Sequence, residues 1–158
     1  MPTIRPFHGI RYADSEELKD LTCPPYDVIS EVEQTKLHDR HANNAVRLEL
    51  ARATEAGSQK YAHVADTFDG WLREGVLPRD EQESLYVYRQ DFVDPSGTRR
   101  RVAGVLGALQ LEEFGTNSGV LPHERTMPGP KEDRLSLMRA LPVNVSPIFA
   151  IYRGKGEL

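Results

Sequence analysis

A chain of 158 residues, of which 39% are apolar and 28% charged, has the length and composition of one globular domain. The formal net charge of −4 argues against broad capture of nucleic acid. The single cysteine, Cys23, excludes an internal disulfide and a cysteine-based zinc site. No apolar run approaches the ~20 residues of a membrane span, and the N-terminus lacks a signal-peptide apolar region. We therefore expect a cytoplasmic protein with no membrane or nucleic-acid partner.

The first elements along the chain are a predicted strand followed by two helices. "TIRPFHGIRY", residues 3–12, alternates enough to be a strand, and Pro6 makes it an edge candidate. A short helix is expected up to Lys19. Ser30 followed by Glu33 resembles a capping box, which predicts a helix over residues 31–41.

The middle of the chain is predicted to hold a strand and the most evident helix. "AVRLEL", residues 45–50, alternates apolar and polar positions and therefore indicates a strand. Residues 59–74 repeat apolar side chains with helical spacing, and Gly75 stands where a left-handed C′ residue belongs. The apolar face of this helix is expected to bury Tyr61, Phe68 and Trp71.

A β-hairpin follows, with arms over residues 85–93 and 99–111 joined at the turn sequence "DPSG". We expect Leu85, Val87 or Tyr88 to reach the core. "KEDRLSLMRA", from residue 131, indicates a short helix, and "SPIFAIYR", from residue 146, a final strand. These elements predict an α+β (mixed α/β) fold with an antiparallel, hairpin-containing sheet and three or four helices. Residues 1–158 are expected to form a single domain.

Most standard site motifs are absent, including the P-loop. His38 and His41 have a spacing that a metal can use, but without a third ligand nearby we favour surface histidines. Cys23 is interpreted as a buried structural thiol rather than a reactive one. "PPYDV" is either a rigid turn that places Tyr26 and Val28 in the core or a turn whose Tyr26 and Asp27 line a pocket.

"LPHERTMPGPKEDR", residues 121–134, combines a dense set of charges with three prolines. Cations clustered at the start of a helix suit a phosphate or carboxylate, and an acid or imidazole beside them suits a general base or Mg²⁺. The alternative is a solvated connector whose charges neutralise one another on the surface. Both interpretations stay open on the residues alone.

The segments "PFHGIRY", "PPYDVIS", "NAVRLEL", "LYVYRQDF" and "LPHERTMPGPKEDRLSLMRA" together resemble a prokaryotic family known as domain of unknown function 1015. The resemblance runs in order from about Thr3 to Tyr152. Longer family members carry a C-terminal D-G-H-H-R-type segment similar to that of free-serine kinases with the ParB/sulfiredoxin-like fold. This sequence contains no such segment, so it resembles the N-terminal part of a longer family protein.

The resemblance implies one part of an ATP-dependent small-molecule kinase for a serine-like hydroxyl, with the missing C-terminal half as a partner. ATP and Mg²⁺ are the expected cofactors, and no protein metal ligand is assigned. The alternative is a non-catalytic binding or packing module. On the kinase hypothesis the expected catalytic residues are His123 and Glu124. The expected substrate- and phosphate-binding residues are Asp27, Arg125, Thr126, Lys131, Asp133 and Arg134.

Overall fold

The computed structural model describes most of the chain. The described residues are 2–13, 16–50, 52, 58–114, 119–123 and 128–152, with the backbone alone at 58–60. The fold divides into two compact units, one of residues 1–9, 79–125 and 151–158 and one of residues 10–78 and 126–150. Among the described residues the first unit holds the strands and the second the helices, which confirms the α+β class. The assignment of the whole chain to one domain stays a prediction.

The second unit is helical. Its helices are α1 (Leu18–Leu21), α2 (Glu31–Arg40), α3 (Val46–Glu49), α4 (Ser58–Arg73) and α5 (Pro128–Ala140). A 3₁₀ turn, Tyr26–Val28, lies between α1 and α2. The described helices number five rather than three or four, partly because α3 forms where the sequence predicted a strand.

Helix α4 organises the core of the helical unit, as its periodicity predicted. Tyr61, Phe68 and Trp71 are 8%, 6% and 5% exposed. They pack with side chains from α3, α5 and the segment after α4. Beyond the end of the helix, Gly75 has a φ of +72°, the left-handed conformation expected of a C′ glycine.

The start of α2 and the whole of α3 show where side-chain capping decides the local structure. Ser30 accepts a hydrogen bond from the Glu33 amide at 3.2 Å, so the predicted cap of α2 is confirmed. The strand predicted over 45–50 is wrong, because Asn44 turns the chain into α3. The Asn44 side chain is fully buried and accepts the Val46 N–H at 3.0 Å. Its amide also donates to the Asp20 carbonyl at 2.7 Å, which holds the turn against α1.

The first unit consists of two small antiparallel sheets in its described residues. Strand β2 (Tyr86–Val93) pairs with β3 (Arg99–Leu106), which confirms the predicted hairpin. Strand β1 (Ile4–Arg5) pairs with β4 (Ala108–Leu109). At the hairpin turn Gly97 has a φ of +82°, and the Asp94 carboxylate accepts the Ser96 and Thr98 N–H groups at 2.9 and 3.0 Å.

Tyr86 anchors the base of the hairpin within the first unit. Its hydroxyl donates to Asp80 at 2.6 Å and accepts the Gly9 N–H at 2.7 Å. Its ring lies 5.1 Å from that of Phe7. A Cβ on Gly9 would collide with the phenol, so this position requires glycine because of the close approach of the Tyr86 ring.

Two predictions about apolar strand residues are wrong. Leu85, Val87 and Tyr88 are 51%, 78% and 45% exposed rather than in the core, because no second layer covers the hairpin in the described part of the chain. The predicted final strand is also absent, since residues 147–152 have no strand partner. In the described part of the chain, these apolar side chains therefore remain exposed to solvent.

The longest helix, α4, has 16 residues, whereas a membrane-spanning helix needs about 20. In the part of the chain that the structure describes, no helix is both long enough and apolar enough to cross a membrane.

Candidate functional site at the start of helix α5

The charged stretch predicted as a site leads into α5, which begins at Pro128, three residues before the start expected at residue 131. Proline is favoured in a first turn because its missing N–H is not needed there. Lys131, Asp133 and Arg134 all lie on this helix, with Lys131 exposed and the other two half-buried. The start of the helix therefore presents Lys131 to solvent and holds Arg134 against the protein.

Arg134 is bound on several sides by the helical unit itself. One guanidinium nitrogen, Nη1, donates to the Glu49 carboxylate at 3.0 Å, and Nη2 donates to the Glu49 carbonyl at 2.7 Å and to Asp133 at 3.2 Å. Only 20% of the Arg134 side chain and 11% of the Glu49 side chain are exposed. Such a shielded, multiply bonded pair fixes α5 against α3 far more firmly than a surface ion pair does.

Tyr26 joins the P-P-Y-D-V segment to α5. The Arg134 guanidinium carbon lies 4.0 Å from the centroid of the Tyr26 ring, a cation–π contact. The side chain of Asp27, the adjacent residue, is exposed. Val28 is 63% exposed, so the interpretation that placed it in the core is wrong. The structure thus brings together two segments that are more than a hundred residues apart in sequence.

Glu49 is the acidic partner of the cluster and is itself shielded from water. Burial raises the pKa of its carboxyl, while the charge of Arg134 and the hydrogen bond from Arg134 oppose that rise. The Ser146 hydroxyl donates to the same carboxylate. Burial, reinforced by the charge of Glu49, raises the pKa of the Cys23 thiol to about 11. Cys23 is therefore protonated at neutral pH, consistent with the structural thiol that the sequence favoured.

Asp133 is tied to the core rather than presented to solvent. Its carboxylate accepts a hydrogen bond from the hydroxyl of Tyr61, which is 8% exposed and lies on α4. With the contact to Arg134 this bond holds the carboxylate between two helices. Asp133 and Arg134 therefore orient α5, whereas Lys131 and its neighbour Glu132 are exposed to solvent.

A shallow depression of about 290 Å³ lies on α5 beside Lys131. Its lining residues are Pro128, Lys131, Glu132 and Leu135, which recur at helical spacing on one side of the helix. Pro128 and Pro130 have no N–H, so among the first three residues of the helix Gly129 is the one with a backbone donor available. The surface combines one ammonium group, one carboxylate, the backbone donor of Gly129 and two apolar side chains.

Of the four remaining predicted site residues, the structure describes one, His123. His123 is exposed and belongs to the unit of strands. Glu124, Arg125 and Thr126 lie outside the described residues. Within the described part of the chain, no group of three or more His, Cys, Asp or Glu side chains is arranged to hold a metal ion.

Three residues of the Arg134 cluster were not predicted from the sequence: Glu49, Tyr61 and Ser146. Glu49 lay in the segment misassigned as a strand, where it counted as an ordinary solvent-facing position. Asn44, a residue type that often precedes a helix, was the available indication that the segment is helical. Tyr61 was identified as a core residue, but nothing in the sequence pairs its hydroxyl with Asp133.

A family model described as protein of unknown function (DUF1015) matches residues 4–158. No functionally curated protein and no solved structure matches the chain.

Proposed function

Since the chain belongs to the DUF1015 family, we propose that it supplies the phosphate-binding part of an ATP-dependent kinase for a small molecule with a serine-like hydroxyl. The observation that carries this proposal is the way α5 is held. The buried Arg134–Glu49 pair fixes the start of the helix, and Lys131, in the first turn, is exposed to solvent. The segment from which the phosphoryl chemistry is expected, of the D-G-H-H-R type, is absent from this sequence.

Lys131 is the residue best placed to bind a phosphate. It is exposed, lies in the first turn of a 13-residue helix and borders the open depression. The partial positive charge of a helix start favours an anion at this end, and the ammonium group adds a full charge. A nucleotide phosphate binding there would be held by the Lys131 ammonium group and the Gly129 amide.

Arg134 serves the proposed site by positioning. Its guanidinium already engages Glu49, Asp133 and Tyr26, so its charge is largely neutralised within the protein. Arg134 holds α5 in a fixed orientation, so the helix does not lose conformational entropy by becoming ordered when a ligand binds. His123 and Glu124 retain their proposed roles in orienting the attacking hydroxyl or Mg²⁺, and ATP and Mg²⁺ remain the proposed cofactors.

The test measures ATP–Mg²⁺ binding to the chain by isothermal titration calorimetry. Lys131→Ala removes one charge-assisted contact and is expected to weaken binding about tenfold or more. Lys36→Ala, at an exposed position of α2, is the matched control and is expected to bind like the wild type. Serine with ATP should give binding without turnover, because the D-G-H-H-R-type segment is missing. Absence of ATP binding, or equal affinity in both variants, would contradict the proposal.

A second candidate function, a packing module for another polypeptide, is favoured by the exposed apolar side chains. Val87 is 78% exposed on the hairpin, and Ile148, Phe149 and Ile151 are 93%, 75% and 87% exposed. Large apolar side chains exposed to solvent are typical of interaction sites in soluble proteins when they form a patch. The edges of the hairpin, which have no strand partner among the described residues, also offer backbone hydrogen bonds to a strand of another polypeptide.

The packing candidate is tested with a dye that fluoresces on apolar surface. The chain is expected to bind 8-anilinonaphthalene-1-sulfonate at neutral pH, and a Val87→Thr, Ile148→Thr, Phe149→Thr variant should bind much less. The thermal transition reported by Trp71, which is buried in the helical unit, should be unchanged. Weak dye binding by the wild type would show that these side chains are covered and would remove this candidate.

A further inference from the structure

Strand β2 has one edge that no other strand covers in the described part of the chain. Its other edge pairs with β3 along the whole strand. The Asp94 N–H, beside the turn, donates to the Thr98 carbonyl at 3.0 Å, and successive residues of a strand direct their backbone groups to alternate sides. The even-numbered residues of β2 therefore bond to β3, whereas the odd-numbered residues from Val87 to Val93 direct their N–H and C=O groups to the free edge.

The sequence of β2 is complementary to itself when it is read in the opposite direction. In "VYRQDFV", residues 87–93, the central residue is Gln90. Residues at equal distances on either side of it form a pair of opposite charges, a pair of aromatic rings and a pair of valines. These pairs are Arg89 with Asp91, Tyr88 with Phe92, and Val87 with Val93. An antiparallel copy of the strand, related by a two-fold axis at Gln90, therefore places each residue opposite its complement.

The paired side chains are accessible to a second copy. The aromatic and valine side chains are 40–78% exposed, and those of Arg89 and Asp91 are 63% and 49% exposed. Within the hairpin the Asp91 carboxylate meets two guanidinium groups, that of Arg101 at 2.6 Å and that of Arg89 at 3.1 Å. This group of three carries an excess positive charge, which a carboxylate from a second copy would balance.

We propose that the protein self-associates through β2, so that two hairpins form one four-stranded antiparallel sheet around a two-fold axis at Gln90. Arg89 then lies opposite Asp91 of the second copy, and Tyr88 lies opposite Phe92 of the second copy. Opposite charges and aromatic rings that face each other across strands stabilise a sheet. Such a dimer rests on the packing candidate, whose partner it identifies as a second copy, and is independent of the kinase proposal.

Other registers and the other edge of the hairpin fit a second copy less well. Because the odd-numbered residues carry the free backbone groups, they must face each other, so the axis moves only in whole residues. With the axis at Arg89 two guanidinium groups face each other directly, and with the axis at Asp91 two carboxylates do, which destabilises the pairing. The β3 edge begins with three consecutive arginines, Arg99–Arg101, and charged side chains of this kind discourage strand association.

The first test exchanges the charges beside the axis and measures association by sedimentation equilibrium. Arg89→Asp places acids opposite each other and Asp91→Arg places bases opposite each other, so each variant alone should dimerise at least about tenfold more weakly than the wild type. A mixture of the two variants again places opposite charges face to face and should form a heterodimer. Arg99→Asp, at an exposed position of β3, makes the same charge change away from the axis and should dimerise like the wild type.

The outcomes separate this dimer from the packing candidate in general. A wild type that stays monomeric at every concentration, yet binds the apolar dye, would leave the packing candidate standing and overturn the dimer. Equal dimerisation of Arg89→Asp and the wild type would also overturn it, as would a mixture of the two charge variants that does not associate.

A cysteine cross-link tests the position of the axis without altering the charges. Gln90→Cys, in a Cys23→Ala chain, should form a disulfide between two copies on air oxidation, because residues opposite each other at this kind of position have Cα atoms about 4.5 Å apart. Val93→Cys in the same background is the control. At about 3.4 Å per residue its two copies lie roughly 20 Å apart and should cross-link much less. Equal cross-linking of the two variants, or none in Gln90→Cys, would refute the axis at Gln90.

Discussion

The buried Arg134–Glu49 pair allows a quantitative test of how α5 is fixed. Replacing Arg134 by Met keeps most of the side-chain volume but leaves the Glu49 carboxylate with the Ser146 hydroxyl as a remaining partner. Breaking a fully buried pair costs 3–5 kcal/mol. Because one-fifth of the Arg134 side chain is exposed, we expect a smaller loss, about 2–4 kcal/mol of unfolding free energy at pH 7.

The sign of the pH dependence follows from Glu49. Burial already raises the pKa of this carboxyl above its ordinary value of 4.5, and loss of the guanidinium raises it further. A carboxyl with a raised folded-state pKa binds more protons when folded, so its stabilising contribution is full at low pH and is lost as pH rises through the folded pKa. The Arg134→Met variant should therefore lose less stability at pH 5 than at pH 7.

The assay is urea unfolding followed by the fluorescence of Trp71, the single tryptophan, which is 5% exposed within the helical unit. A Glu49→Met, Arg134→Met double variant removes both charges and should recover much of the lost stability, since an apolar pair leaves no buried charge unpaired. A loss below 1 kcal/mol for Arg134→Met, or the same loss at both pH values, would refute the claim that the pair is effectively buried.

Three other changes test separate parts of the fold. Phe68→Ala should lower the unfolding free energy by about 3 kcal/mol or more, measured by urea unfolding, since it opens a cavity among buried side chains. Gly9→Ala should displace the Tyr86 phenol and lower the unfolding free energy by about 2 kcal/mol, and NMR should show a changed environment of Tyr86. The control, Gly70→Ala, lies in open space on α4 and should leave the unfolding free energy unchanged or raise it. His38 is 8% exposed, which corrects the expectation of a surface histidine. Because the pKa of His38 falls from 6.5 to about 4 on folding, its contribution is full above about pH 6.5 and is lost as pH falls toward 4. After a discount for solvent screening, the unfolding free energy should fall by about 1–2 kcal/mol over this pH range. His38→Leu should not show this fall, and equal acid sensitivity of the two proteins would contradict the prediction.

Local signals predicted the parts of the fold that local physics determines. The spacing of Tyr61, Phe68 and Trp71 identified α4 because a buried helical face repeats every three to four residues. The D-P-S-G turn identified the hairpin because Gly97 supplies the positive φ that closes it. Both features lie within a few residues of sequence, so no tertiary information was needed.

The errors share a different origin, namely partners that are distant in sequence. Residues 46–49 form α3 because Asn44 bonds to Asp20, a contact across 24 residues that outweighs the strand-like alternation of residues 45–50. Likewise, the apolar pattern from residue 146 onward predicts a strand, but a strand needs a neighbour to pair with, and no neighbour is present among the described residues. The candidate site was found at α5 from its charge, but its internal partners Glu49 and Tyr61 lie 85 and 72 residues away.

The division of roles between Lys131 and Arg134 determines which substitutions are informative about function. Any change at Arg134 removes an interaction with Glu49 and a contact with Tyr26, so a loss of ligand binding in such a variant is inseparable from a loosened α5. Lys131 has no comparable burial, and its replacement should leave the unfolding free energy within about 0.5 kcal/mol. Binding lost at Lys131 with stability retained therefore reports directly on the ligand, whereas binding lost at Arg134 reports on the scaffold that holds the helix in place.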